Sequence, residues 1–141
     1  MKKLSPKLVM AFIAFGVLCI CLLFLFPDGG KSKMPSARQE MNGLNAALSL
    51  YRTSFGQYPT GTKAEILRAI MGDNPQHRSL AKVSPRLISP AGELCDTWGT
   101  PYEIQFEGAN SFTIISAGPD RKFGTSDDVI FDSLKNEFMK P

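Results

Sequence analysis

The sequence predicts an α+β fold: an N-terminal transmembrane helix, then an amphipathic helix packed on a small three-stranded antiparallel sheet. Three observations predict it. Residues 8–26 are apolar without interruption. A helical stripe of apolar residues follows between Met41 and Tyr51. Strand-type alternation of apolar and polar residues is confined to the last third of the chain. Helical patterns followed by a run of strands, rather than strict alternation of the two, are the mark of an α+β chain.

The apolar run, LVMAFIAFGVLCICLLFLF, holds 19 residues and no charge. As a helix it spans roughly 28 Å, close to the hydrocarbon thickness of a bilayer. Lys2, Lys3 and Lys7 precede it, and such positive flanks stay cytoplasmic. The expected topology is therefore a single pass with the N-terminus in the cytoplasm and the rest exported. A cleaved signal peptide fits less well, because the run exceeds the usual apolar region of about 7–15 residues. No small-residue cleavage site follows either; the chain reads Phe26-Pro27-Asp28-Gly29-Gly30.

After the run, 13 Lys and Arg face 13 Asp and Glu, so the whole net charge of +3 comes from the three leading lysines. A neutral exported part excludes a nucleic-acid binder with a broad basic face. A hydrophobic fraction of 43% with 21% charged residues excludes a disordered chain. Of the three cysteines, Cys19 and Cys21 fall within the apolar run. Cys95 is then alone and reads as a small buried apolar residue without a disulfide. The organisation is a membrane anchor (1–27), a Gly- and Pro-containing linker (28–35) and one exported domain (36–141).

Ser36 and Gln39 have capping-box spacing and predict a helix from Ser36. Met41, Leu44, Leu48 and Tyr51 follow at steps of three, four and three, widened by Ala47. This is an amphipathic stripe suited to covering a sheet, and it ends before Gly56. Tyr58-Pro59 should pin the end of that helix. Thr62 and Glu65 form another capping box, opening a shorter helix whose apolar face is Ile66, Leu67, Ile70 and Met71, with Gly72 as its stop. Residues 73–101 carry Pro75, Pro85, Pro90 and Pro101 and read as an extended, irregular connection. His77 lies there without a second His or a nearby Cys, so no metal or catalytic role is assigned to it. No nucleophile is paired with a base anywhere, and no enzymatic activity is expected.

Residues 102–107 alternate Tyr102, Ile104 and Phe106 with Glu103, Gln105 and Glu107, a half-buried strand. Gly108-Ala109-Asn110 turns the chain into a second strand, 111–116, and 129–131 make a third. Trp98, just before the first strand, reads as a packing residue.

The loop between the second and third strands, 117–128, carries Asp120, Asp127 and Asp128 within nine residues. Three carboxylates with backbone carbonyls supply the six to eight oxygens that a hard cation such as Ca²⁺ takes. Zn²⁺ is less suitable without His or Cys nearby. The spacing is not that of an EF-hand. A solvated Asp/Gly turn is the alternative for the same residues.

The combination Tyr51…Gly56-Gln57-Tyr58-Pro59-Thr60, Asp96-Thr97-Trp98-Gly99-Thr100-Pro101-Tyr102 and Ser116-Ala117-Gly118-Pro119-Asp120…Gly124-Thr125-Ser126-Asp127-Asp128-Val129-Ile130 resembles the major pseudopilin family of type II secretion systems. The resemblance runs over roughly residues 40–131. It implies a pseudopilin-like domain in the periplasm on an inner-membrane anchor, acting as a non-enzymatic structural subunit or accessory of a secretion pseudopilus. The implied partners are other pseudopilins or inner-membrane secretion components, with homo-oligomers possible and no nucleic acid. It also implies Ca²⁺ in the loop, with Asp120, Asp127 and Asp128 at the ligating acidic positions. The carbonyls of Ala117, Lys122 and Thr125 are the candidates for the remaining oxygens. Two departures stand out. Arg121 occupies a position where the family commonly has Gly. The apolar run contains no Glu and only Gly16, so the family's cleavage site of Gly, Phe-Thr-Leu and a Glu at the fifth mature position is missing. An alternative reading is a pseudopilin-like binding module on a permanent anchor, outside any filament.

Overall fold

The computed structural model describes residues 33–139 and Pro141. The expected membrane anchor and most of the linker lie outside these residues. Among the described residues no helix is long and apolar enough to cross a membrane.

Helix α1 runs Met34–Phe55. It starts two residues earlier than the Ser36 capping box predicts, and that box is not formed. Lys33 occupies the cap position without a side-chain cap bond, and its carbonyl accepts the first helical bond from Ala37 N at 3.0 Å. Pro35 in the first turn explains the shift: it lacks an N–H that would go unpaired there, and its fixed φ suits a helix start. The far end is as expected. Gly56, at φ 78°, takes the left-handed C-terminal position, and its N–H donates to Arg52 O.

Helix α2, Lys63–Met71, opens on the predicted box. Thr62 Oγ1 accepts from Glu65 N, while Glu65 Oε2 accepts from Thr62 N at 2.7 Å. Ile66, Leu67 and Ile70 are buried, but Met71 is 40% exposed and leaves the predicted apolar face. The chain then turns around Asn74, a buried residue that the sequence pattern did not single out. Its amide donates to Ala69 O and Arg78 O, and its oxygen accepts from Gln76 N and Arg78 N. The long connection holds one short 3₁₀ turn at Pro85–Leu87.

The sheet has four strands, not three: β1 Glu103–Glu107, β2 Ser111–Ser116, β3 Val129–Asp132 and β4 Glu137–Met139, in the antiparallel order β1-β2-β3-β4. The additional strand is three residues long, too short for a period to show. It is held by pairing Phe138 opposite Phe131, with ring centroids 5.2 Å apart.

Register places Ile104, Phe106, Phe112, Ile114, Phe131 and Phe138 in cross-strand pairs on one face. Helix α1 lays Met41, Leu44, Ala47 and Leu48 into the same core. Phe112, Ile114, Met41 and Leu48 are all but completely buried. Tyr58 packs between Phe106 and Phe112, both centroids 5.2 Å away, under the Arg52 guanidinium. It thereby ties the end of α1 to the sheet, as the sequence suggests. Burial of one such side chain contributes about 1.5–3 kcal/mol.

Candidate functional site

Loop 117–128 leaves β2 and enters β3, and its two ends press together. Gly118 sits at φ 66°, and a Cβ built there would run into the carbonyl oxygen of Asp127 and lie 2.8 Å from its carbonyl carbon. Only glycine fits that approach. Ser116 Oγ accepts from Gly118 N at 3.2 Å and donates to Asp96 Oδ2 at 2.6 Å. The start of the loop is therefore anchored on a carboxylate of another segment.

Within the loop, side chains bond locally to backbone. Asp120 Oδ1 accepts from Lys122 N at 2.9 Å, and Asp128 Oδ2 accepts from Gly124 N at 2.8 Å. The carbonyl of Thr125 accepts from Asp128 N, and that of Lys122 accepts from Thr125 Oγ1. Ala117 is fully buried. Asp120 is exposed, whereas Asp127 and Asp128 are half-buried. Arg121 adopts φ 60°, a left-handed conformation uncommon for a non-glycine residue, which accounts for the family's glycine here.

Among the described residues, no three His, Cys, Asp or Glu side chains form a group that could hold a metal ion. The loop does, however, contain an orphan. Asp128 Oδ1 is buried without a hydrogen-bond partner. A carboxylate oxygen so placed is costly unless something cationic or protic meets it. The candidate donor set is all oxygen, three carboxylates and three carbonyls. Such donors fit a hard divalent cation better than a soft one.

The second polar feature lies behind this loop, and the sequence pattern missed it. Asp96 is 1% exposed. Its Oδ1 accepts from Trp98 N at 3.0 Å and Thr100 N at 2.9 Å, and its Oδ2 takes the Ser116 hydroxyl. Three hydrogen-bond donors hold this carboxylate. Nearby, Tyr102 Oη donates to Glu40 Oε2 at 3.0 Å, linking the residue before β1 to α1. Burial raises the Glu40 carboxyl above its usual range, more than the Tyr102 bond lowers it, and the charge of Asp96 adds to the rise. Burial, together with Glu40, also raises the Tyr102 phenol. Cys95 is buried and unbridged, as expected, and its thiol is raised mainly by burial. Trp98 is buried as predicted, with its indole N–H unpartnered.

A helix covering an antiparallel sheet, an Asp-Thr-Trp-Gly turn anchored under β2 and an Asp-rich loop closed on a glycine are thus joined in one domain. The family model for type II secretion system protein G, the major pseudopilin, matches residues 25–131. The chain belongs to this family. The matched span takes in α1, α2, the Asp96 turn, β1, β2, the whole of loop 117–128 and the first three residues of β3. It stops before Asp132, so the β3–β4 turn and β4 lie beyond it. No curated protein and no solved structure matches the chain. Membership supports a role in the type II secretion pseudopilus, and the family is structural rather than enzymatic.

Proposed function

We propose that this protein is a structural subunit of a type II secretion pseudopilus, with residues 8–26 anchoring it in the inner membrane and its α+β domain in the periplasm. The observation that carries this reading is the family match across 107 consecutive residues, 25–131, which includes every motif quoted above from Gly56 to Ile130. Its partners are other pseudopilins and inner-membrane components of the secretion machinery.

The same reading assigns Ca²⁺ to loop 117–128. The carboxylates of Asp120, Asp127 and Asp128 would hold it, with the carbonyls of Ala117, Lys122 and Thr125. The buried, unpartnered Asp128 Oδ1 supports this. When bound, the cation supplies positive charge that offsets repulsion among the three carboxylates. Gly118 keeps the loop ends together, and Asp96 with Ser116 holds the end of β2. Arg121 and Lys122 place positive charge beside the site and weaken cation binding.

One observation favours a second reading, a permanently anchored module outside the filament: residues 1–27 lack the family's cleavage motif. Deleting the gene and assaying export of a type II substrate tests the first reading, with loss of export expected and unchanged export overturning it. Intact mass of the membrane-extracted protein tests whether the anchor is retained. A mass that includes residues 1–27 is expected, whereas a mature N-terminus between Gly16 and Lys33 would show processing.

A further inference from the structure

The β3–β4 turn, outside the family match, presents an apolar knob that the turn itself does not need. Asp132 Oδ1 accepts from Leu134 N at 2.8 Å and Lys135 N at 3.1 Å, and Asn136 takes the left-handed position at φ 54°. Ser133 N donates to Phe112 O, and Ser133 Oγ accepts from Phe112 N. Asp, Ser and Asn thus supply the turn chemistry, and a polar residue would serve at 134. Yet Leu134 stands there 75% exposed on a tip pinned by four hydrogen bonds. Preorganisation of this kind lowers the ordering cost of a contact.

A groove of about 600 Å³ opens between α1 and the irregular segment 80–87. Leu44, Leu80, Val83 and Leu87 give it apolar walls, and Glu40 and Lys82 give it one charge of each sign. Among the described residues Glu40 is bonded by the Tyr102 hydroxyl and by no cation. The hairpin tip carries the matching pair, Asp132 and Lys135, now joined to each other at 3.7 Å. Lys135 is the exposed member of the pair, whereas Asp132 is 18% exposed and held in the turn.

Knob and groove lie on opposite flanks of α1. Arg38 stacks on Phe138 of β4, and Asn45 donates to Asn136 of the turn, so these positions mark the hairpin flank. Glu40 and Gly43 mark the groove, about 160° round the helix from Arg38 and Asn45 respectively at 100° per residue. One copy cannot fill its own groove. Two different patches on opposite sides make a heterologous contact, which runs head to tail from copy to copy.

We propose that Leu134 of one copy seats in the groove beside Glu40 of the next, with the exposed Lys135 facing Glu40. This rests on the pseudopilus reading and names the surface by which neighbouring domains meet. The test uses the full chain in membranes, with Cys19, Cys21 and Cys95 changed to Ala. Leu134→Cys is combined with Gly43→Cys, a groove position where an added Cβ meets nothing within 4 Å. Mild oxidation should give a ladder of dimers, trimers and higher species from the double variant, and monomer from each single variant. Leu134→Cys with Lys82→Cys should give the same ladder and serves if the Gly43 change impairs folding. Absence of a ladder from both pairs, or a dimer from Leu134→Cys alone, overturns the contact. Such failure where the wild-type chain still restores export leaves the pseudopilus reading standing. Export unaffected by gene deletion removes that reading, while a ladder would still establish the contact.

Discussion

Ser116 donates its hydroxyl to Asp96 at 2.6 Å across twenty residues of sequence, and both are sealed from solvent. The bond joins the irregular segment before β1 to the last residue of β2, where the Asp-rich loop departs. Among the described residues, Asp96 is the buried carboxylate that couples the Trp98 turn to that loop. Asp96 therefore positions two motifs that are far apart in the chain.

Asp96→Ala should be among the most destabilising single changes. It strands the N–H groups of Trp98 and Thr100 and the Ser116 hydroxyl around a buried position. At about 1–3 kcal/mol for an unsatisfied buried group, the expected loss is about 3 kcal/mol or more. Asp96→Asn keeps an acceptor for the two N–H groups and can donate to Ser116, so it should cost much less. Thermal melting of the two variants against wild type checks the order; equal losses would show that the charge, not the acceptor geometry, matters.

Gly118→Ala should open the loop. The new methyl meets the Asp127 carbonyl, and φ 66° adds its own cost for a residue with a Cβ, about 1–2 kcal/mol on that count alone. Arg121→Gly should act in the opposite sense at φ 60°, relieving the left-handed strain at the expense of a more flexible unfolded chain, for a net effect within about 1 kcal/mol. Melting temperatures of both variants test this. A Gly118→Ala protein as stable as wild type would contradict the close approach.

Glu40→Gln should flatten the pH dependence of stability. A carboxyl whose folded pKa lies above its unfolded value binds more protons when folded, so its ionisation opposes folding. Stability from this group is present below the unfolded pKa and falls as pH rises through the raised folded pKa. The Gln amide oxygen still accepts from Tyr102 Oη. The variant should therefore equal or exceed wild type near neutral pH and lose the mildly acidic slope. Melting between pH 4 and pH 8, a range chosen about the ordinary carboxylate pKa, decides it; the acidic residue Asp96 and the rim cation Lys82 are unchanged by the substitution.

Legibility in the sequence followed the range of the interaction. The Thr62–Glu65 box, the Gly56 stop and the alternation of Tyr102, Ile104 and Phe106 are local signals, and each lies where the sequence places it. Ser36 misled because a proline one residue earlier made a different start cheaper. Strand β4 escaped because Phe138 acquires meaning only opposite Phe131. Asp96 escaped because no period announces a buried acid. One local signal was available: an Asp followed by Thr-Trp-Gly-Thr is a sequence in which the carboxylate can cap its own turn. In the loop, the three aspartates and the glycines were legible as a candidate site, but not the unpartnered Asp128 oxygen, which depends on β3 packing around it.

Calcium should stabilise the folded protein, and Asp128 should carry the response. A cation held by Asp120, Asp127 and Asp128 together would bind the folded loop and not the unfolded chain, which cannot bring the three into one site. The gain follows RT ln(1 + [L]/Kd), about 2.7 kcal/mol at a hundredfold excess over Kd. For a domain of this size each kcal/mol moves the melting point by about 2–8 °C. Millimolar Ca²⁺ should raise it visibly if Kd is micromolar, EDTA should reverse the rise, and Mg²⁺ should do less because it demands a smaller octahedral shell and sheds water reluctantly. Asp128→Asn keeps an oxygen toward Gly124 N but removes the charge at the buried orphan, so it should abolish the calcium response without unfolding the loop. It should also stabilise the calcium-free protein slightly, by removing an unpaired buried charge. Arg121→Gly should strengthen the calcium response by removing a nearby positive charge. Identical melting curves in EDTA and in several millimolar Ca²⁺ would remove the cation from this loop and leave it a solvated Asp/Gly turn, with the family assignment resting on its other motifs.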